Sequence, residues 1–209
     1  MEILKAPRQP VQRRSKERVK KILDAADEII TESGWGAATS HVIAKRAGVP
    51  PAGVYHFFPD RYMIYDALIS RHAQEFLSVF NDRLRRTNIS RWQDVVHVVV
   101  KEIADYCRIN KTARELSYGC DGEFATRWSS SANNSTLADM IFDLYGKYFE
   151  HPDVENLDTK FQLVAEFMTA GFTHAVAKHD PMDQKIVEEM RDAVIAYMAT
   201  WVGDPVRRS

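Results

Sequence analysis

Cysteine is scarce. Cys107 and Cys120 are the two in 209 residues, too few for a disulfide framework and without zinc-ligand spacing; both are expected to stay reduced. Long apolar runs are missing too. The densest, residues 95–100, contains His97 and is far too short to span a bilayer. Residues 1–10 lack the apolar core of a secretory signal. The expected location is therefore the cytoplasm, with no membrane partner. No Gly-x-Ser-x-Gly, P-loop or Rossmann glycine set occurs, and none of the seven histidines forms a His-x-x-x-His pair. No catalytic residue, metal ligand or cofactor is nominated. Sustained apolar/polar alternation with hairpin turns is also lacking, which argues against a sheet.

What is present fits a soluble globular chain: 45% hydrophobic and 27% charged residues, with enough length for a real core. The net charge of -1 predicts no polyanionic partner, but the charge is unevenly spread. Between Met1 and Lys21, eight basic residues (Lys5, Arg8, Arg13, Arg14, Lys16, Arg18, Lys20, Lys21) face two acidic ones, Glu2 and Glu17. A basic end on an acidic body is either a solvated tail or a surface that meets a polyanion.

Helical spacing dominates. Val19, Ile22, Leu23, Ala26 and Ile30 recur on one face, and Gly34 suits the left-handed residue after a helix. Long helices are expected over 62–86, 92–109, 123–149, 157–178 and 183–201, with a shorter one between 111 and 118. The β-branched run 95–100 belongs to a helix, because Trp92, Val96, Val99 and Ile103 share one side and a lone strand would have no partner. The fold class is all-α.

Residues 34–61 read GWGAATSHVIAKRAGVPPAGVYHFFPDR. Thr39 is a good N-cap for a two-turn helix over 40–47, anchored by Val42, Ile43 and Ala47. Gly48 stops it, and Val49 pins the turn. Pro50 and Pro51 open a second short helix, since proline at the first helical position loses an N–H that had no partner. Two short helices joined by a tight glycine turn, after a basic first helix, form a helix-turn-helix, whose second helix fits the major groove.

Ala25-Ala26, Gly34-Trp35, Ala38-Thr39, Ile43-Ala44, Ala47-Gly48-Val49, Gly53-Val54-Tyr55, Phe58 and Asp60-Arg61 resemble the DNA-binding region of the TetR family of transcriptional regulators, over roughly residues 13–70. The resemblance implies a three-helix DNA-binding head with its basic arm over 1–61, and a larger helical domain over 62–209 that binds a small effector and dimerises. It implies DNA contacts by Thr39, Ser40, His41 and Lys45, by Pro51, Ala52, Gly53, Tyr55 and His56, and by Arg61, which stands where the family usually has lysine. Pro51, Ala52 and Gly53 offer no side-chain donor, so apolar contact with thymine methyls is expected of them. Arg46 could touch the DNA backbone or face solvent. Val54 and Phe58 read as core, and Asp60 as the cap of the next helix. Pro50 departs from the family pattern, which has a capping serine or threonine there.

Tyr106, Cys107, Phe124, Trp128, Met168, Phe172 and His174 are candidate effector contacts, although aromatic residues at helical spacing are more often core. An apolar or aromatic effector follows from that lining. Leu157, Phe161, Val164 and Met168, with Ile186, Met190, Ala193, Val194, Tyr197 and Trp201, form two apolar faces. They could pack inward, or build the four-helix dimer seam that the resemblance implies. The expected partners are a double-stranded, palindromic DNA operator, a small-molecule effector and a second copy of the chain, and the expected role is a repressor. The alternative is an all-helical small-molecule binding protein or enzyme whose basic N-terminus is incidental.

Overall fold

Helix starts and stops follow the punctuation of the sequence. In a computed structural model, which describes residues 13–120 and 132–208, α1 spans Arg13–Ser33, α2 Ser40–Ala47, α3 Pro51–Phe57, α4 Arg61–Leu84, α5 Trp92–Ile109 and α6 Lys111–Arg114. Three further helices follow: α7 Ala132–Tyr148, α8 Leu157–Lys178 and α9 Gln184–Val202. Among the described residues no strand forms beyond one isolated bridge, Phe149 to Arg207.

Several boundaries sharpen the sequence reading. The helix expected over 183–201 begins one residue later, because Asp183 is its cap and accepts from Lys185 N–H at 2.9 Å. The short helix expected between 111 and 118 is one α-turn followed by a π-turn, Glu115–Gly119. The first residues of the helix expected over 123–149 lie outside the described residues, and from Ala132 the helix is present.

The described chain divides into two compact units. The first runs to Glu75 and also takes in Lys111–Leu116. It therefore extends beyond residue 61. The reason is that α4 keeps contributing to the same core: Ile64, Tyr65, Leu68 and Ile69 are buried, and Arg71 donates to Asp24 of α1 at 2.8 Å. Ile22, Ala26 and Ile30 of α1, from the face the spacing marked, complete that core together with Ile29, while Val19 and Leu23 of the same face are half-buried.

The second unit comprises Phe76–Asn110 and the described residues from Ser117 onward. Its core is Val95, Val96, Val99 and Val100 of α5, Ile141 and Tyr145 of α7, Phe161, Val164 and Phe172 of α8, and Val194, Met198 and Trp201 of α9. The β-branched run is thus helical and buried. A Cβ on Gly171 would overlap Met190, so α8 and α9 approach there more closely than a side chain allows. Residues 206–208 are tied back to α7: Glu150 N–H donates to Val206 O, and Arg208 N–H to Tyr148 O, both at 2.8 Å.

Most of the two apolar faces of α8 and α9 packs inward, although Leu157, Ile186 and Tyr197 are half-buried and Ala193 is exposed. Phe161, Val164, Met168, Val194 and Trp201 are in the unit's own core, so they are not a seam open to a second copy. The large apolar side chains left exposed on α8 are Leu163 and Phe167, one turn apart, and Tyr197 of α9 meets Phe167 edge-on at 5.2 Å.

Candidate nucleic-acid interface

Thr39 caps α2 as expected: its Oγ1 accepts from Val42 N–H at 3.3 Å. Gly48 ends the helix at φ 64°, ψ 33°, the left-handed conformation that glycine adopts without a Cβ penalty. Val49 N–H then donates to Ala44 O at 3.1 Å, which fixes the turn. Pro50 supplies no side-chain cap, yet α3 still begins at Pro51, whose fixed φ suits a first helical turn.

The turn presents α3 outward. Val54, Phe57 and Phe58 are buried and hold it from beneath. Pro51, Ala52, Tyr55 and His56 are exposed, with Tyr55 at 51%, while Gly53 is half-buried. On α2, His41 and Lys45 are exposed, Thr39 is half-buried, and Ser40 is buried against the head. Ser40 thus offers little surface beside its neighbours.

Val42 corrects the sequence reading. It is 42% exposed, and Ala44 is buried with Ile43 in its stead. At 100° per residue the buried side of α2 centres between Ile43 and Ala44, which turns Val42 away with Lys45. The outward face of the two helices therefore includes an apolar side chain that the sequence reading assigned to the core.

The cations have different tasks. Arg46 is turned onto α1, where it donates to Glu32 at 2.8 and 3.0 Å and lies 3.5 Å from Glu28. Hydrogen bonding from Arg46 holds the Glu32 carboxyl below its ordinary range against a smaller opposing effect of burial. Arg61 sits over the Tyr62 ring at 5.0 Å, directly after Asp60, whose carboxylate caps α4 by accepting from Met63 N–H at 2.9 Å. Behind the interface, Asp27 of α1 pairs with Arg71 and lies 3.4 Å from His72. Burial would raise its carboxyl. Hydrogen bonds from His72 and Thr112 and the charges of His72 and Arg71 outweigh that, and hold it at about 2.

Residues 22–68 match the model of bacterial regulatory proteins of the tetR family, and residues 90–202 match a tetracyclin repressor-like C-terminal domain. The chain belongs to the TetR family. As a TetR-family transcription regulator it couples a DNA-binding helix-turn-helix to a C-terminal domain of the ligand-binding kind. It is 27% identical over 133 residues to the transcriptional activator FasR of Mycolicibacterium smegmatis, covering 63% of this chain and 60% of that protein. Over 79 residues it is 30% identical to the regulator YvkB of Bacillus subtilis, 38% of this chain and 40% of that one. The chain thus spans 40 to 60% of the length of these curated relatives. Among solved structures, a TetR-family regulator from Streptomyces coelicolor superposes with a TM-score of 0.67 at 23% identity, over 88% of this chain and 99% of that one. The FadR repressor of Thermus thermophilus, solved with lauroyl-CoA, gives 0.60 at 16%, over 86% and 93%. Both share the fold.

In the C-terminal unit of this TetR-family chain, part of the nominated effector set comes together. Cys107 and Phe172 are buried, Tyr106 is half-buried, and Met168 lies in the core one turn from Phe172. Tyr118, on the π-turn, meets the Phe172 ring at 5.1 Å, and Phe76 meets Tyr106 at 5.5 Å. Burial, with a contribution from Cys107, pushes the Tyr118 phenol well above its ordinary range, so it stays a neutral hydrogen-bonding group. His174 does not join this group, since it lies exposed on α8. Phe124 and Trp128 lie outside the described residues. No helix among the described residues is long and apolar enough to cross a membrane.

Proposed function

We propose that this protein is a repressor that binds a palindromic operator as a homodimer and is released by a small apolar or aromatic effector. The observation that carries the reading is the outward face of α3, where Pro51, Ala52, Tyr55 and His56 are exposed over a buried Val54 and Phe57. In this reading α3 lies in the major groove. Pro51, Ala52 and Gly53 meet thymine methyls, joined by Val42, and Tyr55, His56 and His41 reach base edges or phosphates. Thr39 and Lys45 flank the backbone, and Arg61 holds a phosphate beside the N-terminus of α4. The basic residues of the N-terminal arm add the salt-dependent, sequence-independent attraction.

Leu163, Phe167 and Tyr197 form the seam with the second copy. A twofold pair then sets its recognition helices about one DNA turn, roughly 34–36 Å, apart, hence the palindrome. Cys107, Tyr118, Met168 and Phe172 receive the effector, with Tyr106 at their edge. Effector binding shifts the population toward a form whose recognition helices miss the groove spacing, which requires tighter binding to that form. The protein acts in the cytoplasm, with its DNA.

The test is a gel shift with genomic fragments across a salt series, repeated with apolar and aromatic compounds and with lauroyl-CoA. Tight, palindrome-selective binding with a steep salt slope, reversed by at least one compound class, supports the reading. Absent or salt-insensitive binding refutes it. FasR is named an activator, and complexes that tighten with effector would favour that role over repression.

A further inference from the structure

We propose that Glu115 is a positioning residue for DNA binding. Its carboxylate latches the turn that feeds the helix-turn-helix, although it stands 80 residues further along the chain.

The turn is Trp35–Ala37, a single 3-10 turn between α1 and α2. Gly34 opens it at φ 84° and gives no side-chain cap. The Trp35 N–H at its start would be an orphan donor. Glu115 fills that role: its Oε2 accepts from Trp35 N–H at 2.8 Å. The same oxygen would lie 3.4 Å from a Cβ on Gly34, so the carboxylate packs directly on the glycine.

The latch is itself held. Lys111 stands 3.6 Å from the other carboxylate oxygen and donates to Thr31 O of α1 at 3.0 Å. Thr112 lies 3.3 Å from both the Thr31 hydroxyl and the Asp27 carbonyl. On the other side of the turn, the Tyr65 hydroxyl of α4 donates to Trp35 O at 2.7 Å and lies 3.0 Å from Ala38 O. The turn is thus gripped at its N–H end by a carboxylate and at its carbonyl end by a phenol. Two residues past Trp35–Ala37, Thr39 caps α2, so the angle at which α2 and α3 leave α1 is set between these two grips.

This predicts a sign that simple electrostatics does not. Removing an acidic side chain from a DNA-binding unit is expected to strengthen DNA binding; removing the latch weakens it. The experiment uses full-length E115A, E115D and E115Q. Affinity is read by fluorescence anisotropy on a duplex that the wild-type protein enriches from a random-sequence pool. Thermal midpoints and hydrogen exchange of the peptide containing residues 34–39 are measured in parallel. Aspartate keeps the charge but is too short to reach Trp35, whereas glutamine loses the charge and keeps an acceptor at the same reach. E115A and E115D are expected to bind about tenfold more weakly, with faster exchange at 34–39, and E115Q within about twofold of wild type or tighter. Wild-type affinity in E115D, tighter binding by E115A, or equal loss in E115Q and E115A overturns the proposal. Should E115A fail to fold, E115D carries the test. If neither variant melts cooperatively, Glu115 is a folding requirement rather than a positioning residue and the proposal falls.

Discussion

The two units are fastened by different chemistry. In the N-terminal unit, charged and hydroxyl side chains bridge the helices: Arg71 to Asp24, Arg46 to Glu32, Thr112 to Thr31, Glu115 to Trp35. In the C-terminal unit, rings carry much of this, beside polar bridges such as Arg83 to Glu102 and Arg108 to Gln184. Phe161 alone meets Phe142, Tyr145, His151 and Trp201 at centroid distances of 5.2 to 6.1 Å. Directional bonds fix the angles at which the two-turn α2 and the single-turn α6 meet the long α1. Long helices with broad apolar faces need only fill space, because packing energy grows with buried surface. A DNA reader needs the first kind of precision, and a ligand-accommodating bundle tolerates the second.

Breaking the aromatic side is expected to have the largest effect. Phe161→Ala removes a ring that is 1% exposed and should cost about 4 kcal/mol, read as a drop in the denaturant midpoint at unchanged slope. A loss below about 1 kcal/mol would mean that the neighbouring rings collapse into the space.

The ionic side is expected to break next. Asp27→Asn should cost about 1.5 kcal/mol at neutral pH, because the wild-type carboxyl is lowered from 3.8 to about 2 and solvent screening of the partly exposed pair trims what that shift is worth. A depressed carboxylate stabilises the fold fully above its unfolded value and loses that contribution as pH falls through its folded value. The difference between wild type and D27N should therefore be constant above about pH 5 and close between about pH 4 and 2, as acid titration of the melting midpoint would reveal.

Thr39→Ala is smaller, about 1 kcal/mol for the lost cap. It should weaken DNA binding while the aromatic near-ultraviolet signal of the C-terminal unit stays unchanged.

The smallest effect sharpens the contrast by placing one titrating group among the rings. His151 stacks on Phe142 at 3.9 Å. Burial, then Arg208, lower its pKa against the opposing charge of Asp143. A histidine so depressed stabilises the fold above its ordinary value and loses that contribution as pH falls. The melting midpoint should slip as pH drops below that value, and His151→Leu should flatten the slope.

The same contrast explains what was legible in the sequence. The helix-turn-helix is written in local chemistry: Thr39 caps three residues ahead, Gly48 adopts a conformation other residues avoid, and Pro51 is preset for a first turn. Each signal is read within a few residues, and each element stands where it was expected. The π-turn at Glu115–Gly119 was not legible, nor was the Glu115 to Trp35 bond, because its partners are far apart in sequence. The apolar faces of α8 and α9 were legible as apolar but not by destination. Periodicity says that Phe161 and Val164 are buried, not whether a neighbour in the same chain or a second copy buries them. Only the packed helices show that Leu163 and Phe167 are the ones left over. Val42 was misassigned for a related reason: in a helix of eight residues, one apolar position is weak evidence of which side faces inward.

The six residues from Lys111 to Leu116 have a consequence for biosynthesis. A nascent chain that has emerged as far as Glu75 still lacks part of the N-terminal unit, because the segment that grips α1 is translated only after all of α5. Contacts of such sequence separation form late. The N-terminal unit is therefore completed on the ribosome only after part of the C-terminal unit has been made.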